Sequence, residues 1–241
     1  MGDRPRFIQR ETVVCPPFGR SVCTMYPNRL IWLTVLLVVT GLTACSNDTQ
    51  NESGPVTGFP WQIERLPNGT TRVFGIVPGQ TTLGAAMAQL GDDNELAIIA
   101  APGETGSLEV YYSHYTAGMI EGKLILVADI EPETLASMQM RARRQGGTHR
   151  LLLDESDLPT ARRAAVRAIT FMPTFDLDQE ITRARFGIPA EVVSVSAQEQ
   201  HLLYPELGLD LVLNAHGKDV LQYLSPDDFD AYRAQLQVKK D

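Results

Sequence analysis

Cysteine is scarce. The 241-residue chain has three, Cys15, Cys23 and Cys45, too few and too far apart for a disulfide framework or a zinc cluster. An excess of positive charge is missing as well. The formal net charge is −8, which argues against nucleic acid as a partner. No apolar run is long: the best, within residues 30–44, reaches roughly 15 residues, short of the ~20 that cross a bilayer as a helix. Catalytic signatures are absent too. There is no G-x-S-x-G elbow. "PGETGS" has too few glycines for a phosphate loop, and no histidines stand at tight metal-ligand spacing. The chain reads as a non-enzyme with no cofactor and no metal.

What is present begins with the short apolar core. Arg29 precedes it and "SNDTQNESGP" follows, the layout of an export signal. Its last residues, "LTAC" at 42–45, resemble the lipobox of bacterial lipoproteins. That resemblance implies diacylglycerol on the Cys45 thiol, cleavage between Ala44 and Cys45, and a fatty acyl chain such as palmitate on the new amino group. Physically, two or more chains make a stable anchor where one is marginal. Ser46 stands where an Asp would mark inner-membrane retention in enteric-type lipoproteins, so the resemblance implies the periplasmic face of the outer membrane. Residues 1–24 form an over-long polar lead, and Met25 begins a normal signal peptide over 25–44. The expected mature chain then keeps Cys45 as its sole cysteine.

Residues 45–60 are rich in Asn, Ser, Gly and Pro and read as a flexible tether. A first α+β unit is expected over 61–132. It opens with a hairpin in which Trp61, Ile63 and Arg65 alternate, Asn68-Gly69 turns, and Val73 and Phe74 return. Thr81 or Thr82 caps a helix with Leu83, Ala86, Met87 and Leu90 on one face, and Gly91 ends it. "ELAIIA", "SLEVYYSHY" and "GKLILVADI" are its strands. A helical connecting segment spans 133–172, with Leu135, Met138 and Ala142 on one helix face. Ala161, Ala165, Ala168 and Met172 share a face of the next helix, and "HRLLLD" between them is a candidate strand. A second α+β unit covers 173–241. Asp178 caps its helix, Ile181 and Ala184 face inward, and Gly187 stops it. "AEVVSVSA", "LGLDLVLNA" and "DVLQYLS" follow, then a last helix, "PDDFDAYRAQL". The expected fold is α+β: tandem small helix-on-antiparallel-sheet units, a probable-duplication pattern joined by a helical segment.

"GIVPGQTTLGAAMAQLG" followed by strands resembles the BamE (SmpA/OmlA) family of outer-membrane lipoproteins. Gly79, Thr81, Thr82, Leu83, Leu90 and Gly91 carry the likeness in the first unit; Leu177, Ile181, Phe186, Gly187 and Pro189 carry it in the second. The resemblance implies helices packed on a three-stranded antiparallel sheet and accessory binding or scaffolding in envelope assembly. The first unit departs from the family in having Asp92-Asp93 where a proline follows "LG", and the chain is about twice a usual member's length.

The candidate surfaces follow from charge and aromatics. Seven arginines stand against three acids in residues 141–167. Arg141, Arg143, Arg144, Arg162 and Arg163 are a candidate interaction surface for an acidic protein patch or lipid headgroups. Tyr111 and Tyr112 are adjacent in a strand, so one must face away from the core and can anchor a partner. Ser113 and His114, by the same alternation, should point apart. His201 and His216, with Glu199 or Asp210, are the only conceivable zinc donors, and Asp176 and Asp178 are read as capping residues. The expectation is a lipid-anchored envelope protein that binds an unidentified envelope protein. The alternative is a small-ligand-binding or structural lipoprotein, and behind it a hydrolase with an unrecognised site.

Overall fold

Asn68 and Gly69 turn the chain between two short strands, β1 (Glu64–Arg65) and β2 (Thr71–Arg72), which pair antiparallel. Gly69 takes φ 86°, which only glycine adopts cheaply, and Asn68 Oδ1 accepts the Thr70 hydroxyl proton at 2.7 Å. The computed structural model describes residues 58–145 and 149–240. The extension 1–24, the signal segment 25–44, the Ala44–Cys45 cleavage and acylation site, and tether residues through 57 lie outside the described residues.

Helix α1 (Leu83–Leu90) starts where the Thr82 hydroxyl accepts from the Ala85 N–H at 3.2 Å, and it stops at Gly91, φ 99°. Leu83 and Ala86 are buried. Strands β3 (Glu95–Ile99), β4 (Ser107–Ala117) and β5 (Ile120–Asp129) then form an antiparallel meander. Helix α2 (Pro132–Arg141) buries Leu135 and Met138. The short strands β6 (Arg143–Arg144) and β7 (Arg150–Leu152) follow, then α3 (Leu158–Arg163) and β8 (Ala165–Pro173). Helix α4 (Gln179–Phe186) is capped by the Asp178 carboxylate, which accepts from the Ile181 N–H at 2.6 Å. Strands β9 (Glu191–Ser194), β10 (Glu199–Tyr204), β11 (Leu209–Asn214) and β12 (Val220–Leu224) and helix α5 (Phe229–Lys240) complete the chain.

Ten strands form one antiparallel sheet in the order β6-β7-β3-β4-β5-β8-β12-β11-β10-β9. The architecture is mixed α+β, as the order of helix and strand patterns led one to expect. The connecting segment is not all helical, however. Its second helix ends at Arg163, and Ala165–Pro173 is strand β8, paired with β5 on one side and β12 on the other. The alanines at 165 and 168 suggested a helix face, but the deepest residues are Val166, Ile169 and Phe171, with Ala168 buried on the opposite side of the strand from Ile169 and β-branched Ile169 and Thr170 suiting a pleated surface. Each meander would otherwise end on an open edge, so β8 joins them into one sheet where two separate units had been expected. The second unit also uses β10, which makes its meander four strands, β9 to β12.

Strand alternation divides the sheet into two faces. The front carries Leu108, Val110, Tyr112, Leu124, Leu126, Ile169, Phe171, Leu211, Leu221 and Tyr223, all within one core cluster. Buried residues of α1, α2 and α3 join it, and Leu177, Ile181 and Phe186 bring in α4. A fully buried side chain of this size contributes about 1.5–3 kcal/mol. Within α4 the buried residue is Thr182; Ala184, expected to face inward, is exposed. On the back, α5 covers only the β9–β12 end, where Val193, Leu203, Leu224, Phe229 and Leu236 form a second, smaller core.

Both leading helices, α1 and α4, therefore lie on the front, and both meanders run inward to β8 from opposite edges. Superposing one meander on the other requires a half-turn about β8, which would carry its helix to the back. The two halves are mirror-related in layout, so the topology is not that of a rotated copy.

Candidate functional site

The back of the sheet is covered at one end and open at the other. From β3 to β8 no described element packs over it, and Ile99, Tyr111, Ile125, Val127 and Met172 are half-buried there. Tyr111 stands opposite Ile125, and Ile125 opposite Thr170, so one row of side chains crosses three strands. Where this open surface meets α5 lies a groove of about 400 Å³, with Val127, Arg167, Gln222, Asp228 and Tyr232 among its walls.

Beneath α5, Tyr232 leads into a buried polar network. Its hydroxyl donates to Asp210 Oδ2 at 2.5 Å, with Gln222 Oε1 at 3.4 Å. His201 Nδ1 lies 2.7 Å from the same Asp210 oxygen, and His201 Nε2 lies 3.3 Å from Glu199 Oε1. Asn214 Nδ2 donates to the other Glu199 oxygen at 3.3 Å. Asp210 is 0% exposed, and its Oδ1 has no partner. Burial pulls the His201 imidazole down, but the Asp210 bond and charge, with Glu199 behind them, overcome it and hold the pKa above its ordinary value. Burial, then the Asp210 charge, push the Tyr232 phenol far up. Both imidazole nitrogens face carboxylates.

The structure brings His201, Glu199 and Asp210 together but leaves His216 in an exposed turn, its N–H bonded to Asn214 Oδ1. Among the described residues no group of three His, Cys, Asp or Glu could hold a metal. Tyr232 and Gln222 complete the network and were missed. Gln222 is brought in by the register of β11 on β12, which sets it opposite Asp210, and Tyr232 by the return of α5 over the sheet; neither is visible in a linear sequence.

Of the tyrosine pair, Tyr112 is inside and Tyr111 is on the open back. Tyr112 therefore leaves the candidate interaction surface: alternation sends it to the core. Its buried hydroxyl has no partner, and burial with Tyr115 and Asp92 pushes its pKa to about 12. Ser113 and His114 do not point apart. A bulge between Tyr112 and Tyr115 adds one residue to β4, and Ser113 Oγ sits 3.0 Å from His114 Nδ1, both exposed. No described carboxylate completes a triad with them.

The arginines disperse. Arg141 at the end of α2 makes a two-pronged bond to buried Asp157, at 2.6 and 3.0 Å, and that bond raises its pKa. Its first task is to tie α2 to the start of α3. Arg143 and Arg144 are exposed on the β6 edge, and Arg162 and Arg163 are exposed on α3. No described helix is long and apolar enough to cross a membrane. No family model, no curated protein and no solved structure matches the chain.

Proposed function

We propose that the chain is a lipid-anchored envelope protein that works as a protein-binding scaffold, held through acylated Cys45 at the periplasmic face of the outer membrane. The observation that carries this reading is the open back of the sheet. Tyr111, Ile125 and Val127 lie half-buried on a broad pleated surface beside a covered one, and their apolar area gains from a partner that excludes water. The resemblance of "GIVPGQTTLGAAMAQLG" to BamE-like lipoproteins supports the same role. The first unit presents the open face, and the second, latched by α5, holds its far edge. The network under α5 supports a structural task over chemistry.

The test is a photo-crosslinking residue at Tyr111 or Ile125 in intact cells, with Met140 on α2 as an exposed control. A discrete adduct from the sheet positions alone supports the scaffold; equal or no adducts from all positions overturn it. The anchor is tested separately, by the mass of the mature N-terminus with and without Cys45→Ala. An unmodified thiol in the parent refutes acylation. The groove of about 400 Å³ beside Tyr232 favours a second reading, a small-ligand lipoprotein. Co-purification of a small molecule in place of a protein adduct decides for it.

A further inference from the structure

The last strand of the sheet, β9, is an open edge with a cavity beside it. Val195 N–H donates to Glu199 O at 3.1 Å, and β9 pairs Val193 with His201 and Glu191 with Leu203. In an antiparallel ladder alternate residues bond inward, so Val192 and Ser194 turn their N–H and C=O groups outward. No described strand pairs there. Natural edges are blunted by charge, proline or cover. This one exposes Val192 at 53%, with Ile188 at 80% just before it.

Val192 projects to the front, where it meets α4. Between them lies a cavity of about 110 Å³, lined by Thr182, Arg183, Gln200, Leu202, Tyr204 and Val192 itself, among others. A water takes about 30 Å³ of liquid, so the cavity holds three or four waters or one medium side chain. Thr182 is one of the residues lining this cavity; it is 2% exposed, and its hydroxyl is buried with no hydrogen-bond partner. Arg183 at the rim has no carboxylate partner among the described residues, and its helix neighbour Glu180 is not paired with it.

We propose that β9 and α4 form a peptide-docking cleft. An extended segment of a partner protein adds as an eleventh strand on β9. One of its front-facing side chains, small enough for the cavity, enters it beside Thr182, and an acidic residue two positions along, on the same face, meets Arg183. Strand addition of this kind takes its affinity from main-chain hydrogen bonds and its specificity from pockets for alternate side chains. The inference rests on the protein-binding reading and names the edge at which a partner enters, apart from the Tyr111 surface.

The experiment selects linear peptides from a displayed random library on the purified 58–241 region held within the full mature chain. Enriched peptides should perturb the amide resonances of Val192, Ser194 and Thr182. N-methylating such a peptide at the alternate positions that face β9 should weaken binding at least tenfold, and methylating the others should not. Val192→Pro removes an outward donor, besides changing one wall of the cavity, and should weaken binding similarly. The peptide control keeps the test valid if that variant folds poorly. No enriched peptide, or perturbations confined to the Tyr111 face, overturns the cleft while leaving the scaffold reading intact. A dimer of the parent that Val192→Pro dissociates also overturns it, since the edge would then serve a second copy.

Discussion

Replacing His201 with leucine leaves Asp210, fully buried, with one remaining partner, the Tyr232 hydroxyl at 2.5 Å. Removing one member of a buried ion pair costs about 3–5 kcal/mol, because the other is left desolvated and uncompensated. Replacing both members with apolar groups is often near neutral. His201→Leu should therefore destabilise by about 3–5 kcal/mol, and His201→Leu with Asp210→Val by much less. With a urea m-value near the middle of the ~1–3 kcal/mol/M range, the single variant's midpoint falls by about 1.5–2.5 M. The same pair sets a pH dependence. The folded pKa of His201 is raised, so its contribution is complete below the unfolded value, near 6.5, and is lost as pH rises through the folded value. Urea midpoints measured upward from about pH 6.5 should fall in the parent and lose that component of the slope in His201→Leu. Equal losses in the single and double variants would refute the buried-pair argument. So would parent and variant curves of identical slope.

Three further outcomes follow from the packing. Tyr112→Phe removes a buried hydroxyl that has no partner, so thermal melting should show no loss and up to about 1 kcal/mol of gain, against the usual cost of deleting a tyrosine hydroxyl. Gly208 sits at φ 60°, and a Cβ there would collide with the Leu224 carbonyl oxygen; Gly208→Ala should cost more than about 1 kcal/mol in chemical denaturation, the backbone having to shift. Arg141→Gln should lower the urea midpoint, by less in high salt than in low, since its two-pronged bond ends on the buried Asp157 while the arginine side chain itself is 47% exposed.

Local grammar was legible, and pairing was not. Thr82 and Asp178 cap their helices, Gly91 and Gly187 end them, and Asn68-Gly69 turns the hairpin, because each of these acts within a few residues of itself. Strands β3, β4 and β5 showed clean alternation or apolar runs. Strand β8 did not, since alanines at 165 and 168 fit a helical spacing as well as a pleat, and the choice was made by open edges on β5 and β12 nearly fifty residues apart on either side. The candidate site suffered for the same reason. Glu199, His201 and Asp210 were singled out as ionisable groups near one another in sequence, but Tyr232 joins them only because α5 folds back over the sheet. The bulge that turns Ser113 toward His114 depends on the registration of β4 against β5, a property of two strands that neither sequence states alone.

The apparent repeat is best explained by this same split between local and non-local information. "LGDDNELAII" and "FGIPAEVVSV" align because each ends a short helix at a glycine and starts a strand, and any helix-to-strand junction under those constraints draws on the same residues. A duplicated unit keeps its hand, so a second copy feeding its last strand to β8 in the direction that β12 takes would place its helix on the back of the sheet. Instead Phe186 of α4 packs 6.0 Å from Tyr204, whose side chain lies on the front with Tyr223 and Phe171, in the core that also holds Leu83 of α1. With both leading helices spent on the front, the back had to be covered by something else. The chain supplies α5 for the β9–β12 end and nothing among the described residues for β3 to β8. The open surface around Tyr111 is thus a direct consequence of mirror-related halves sharing one covered face, and the same choice of face sets α4 beside Val192 at the unpaired edge.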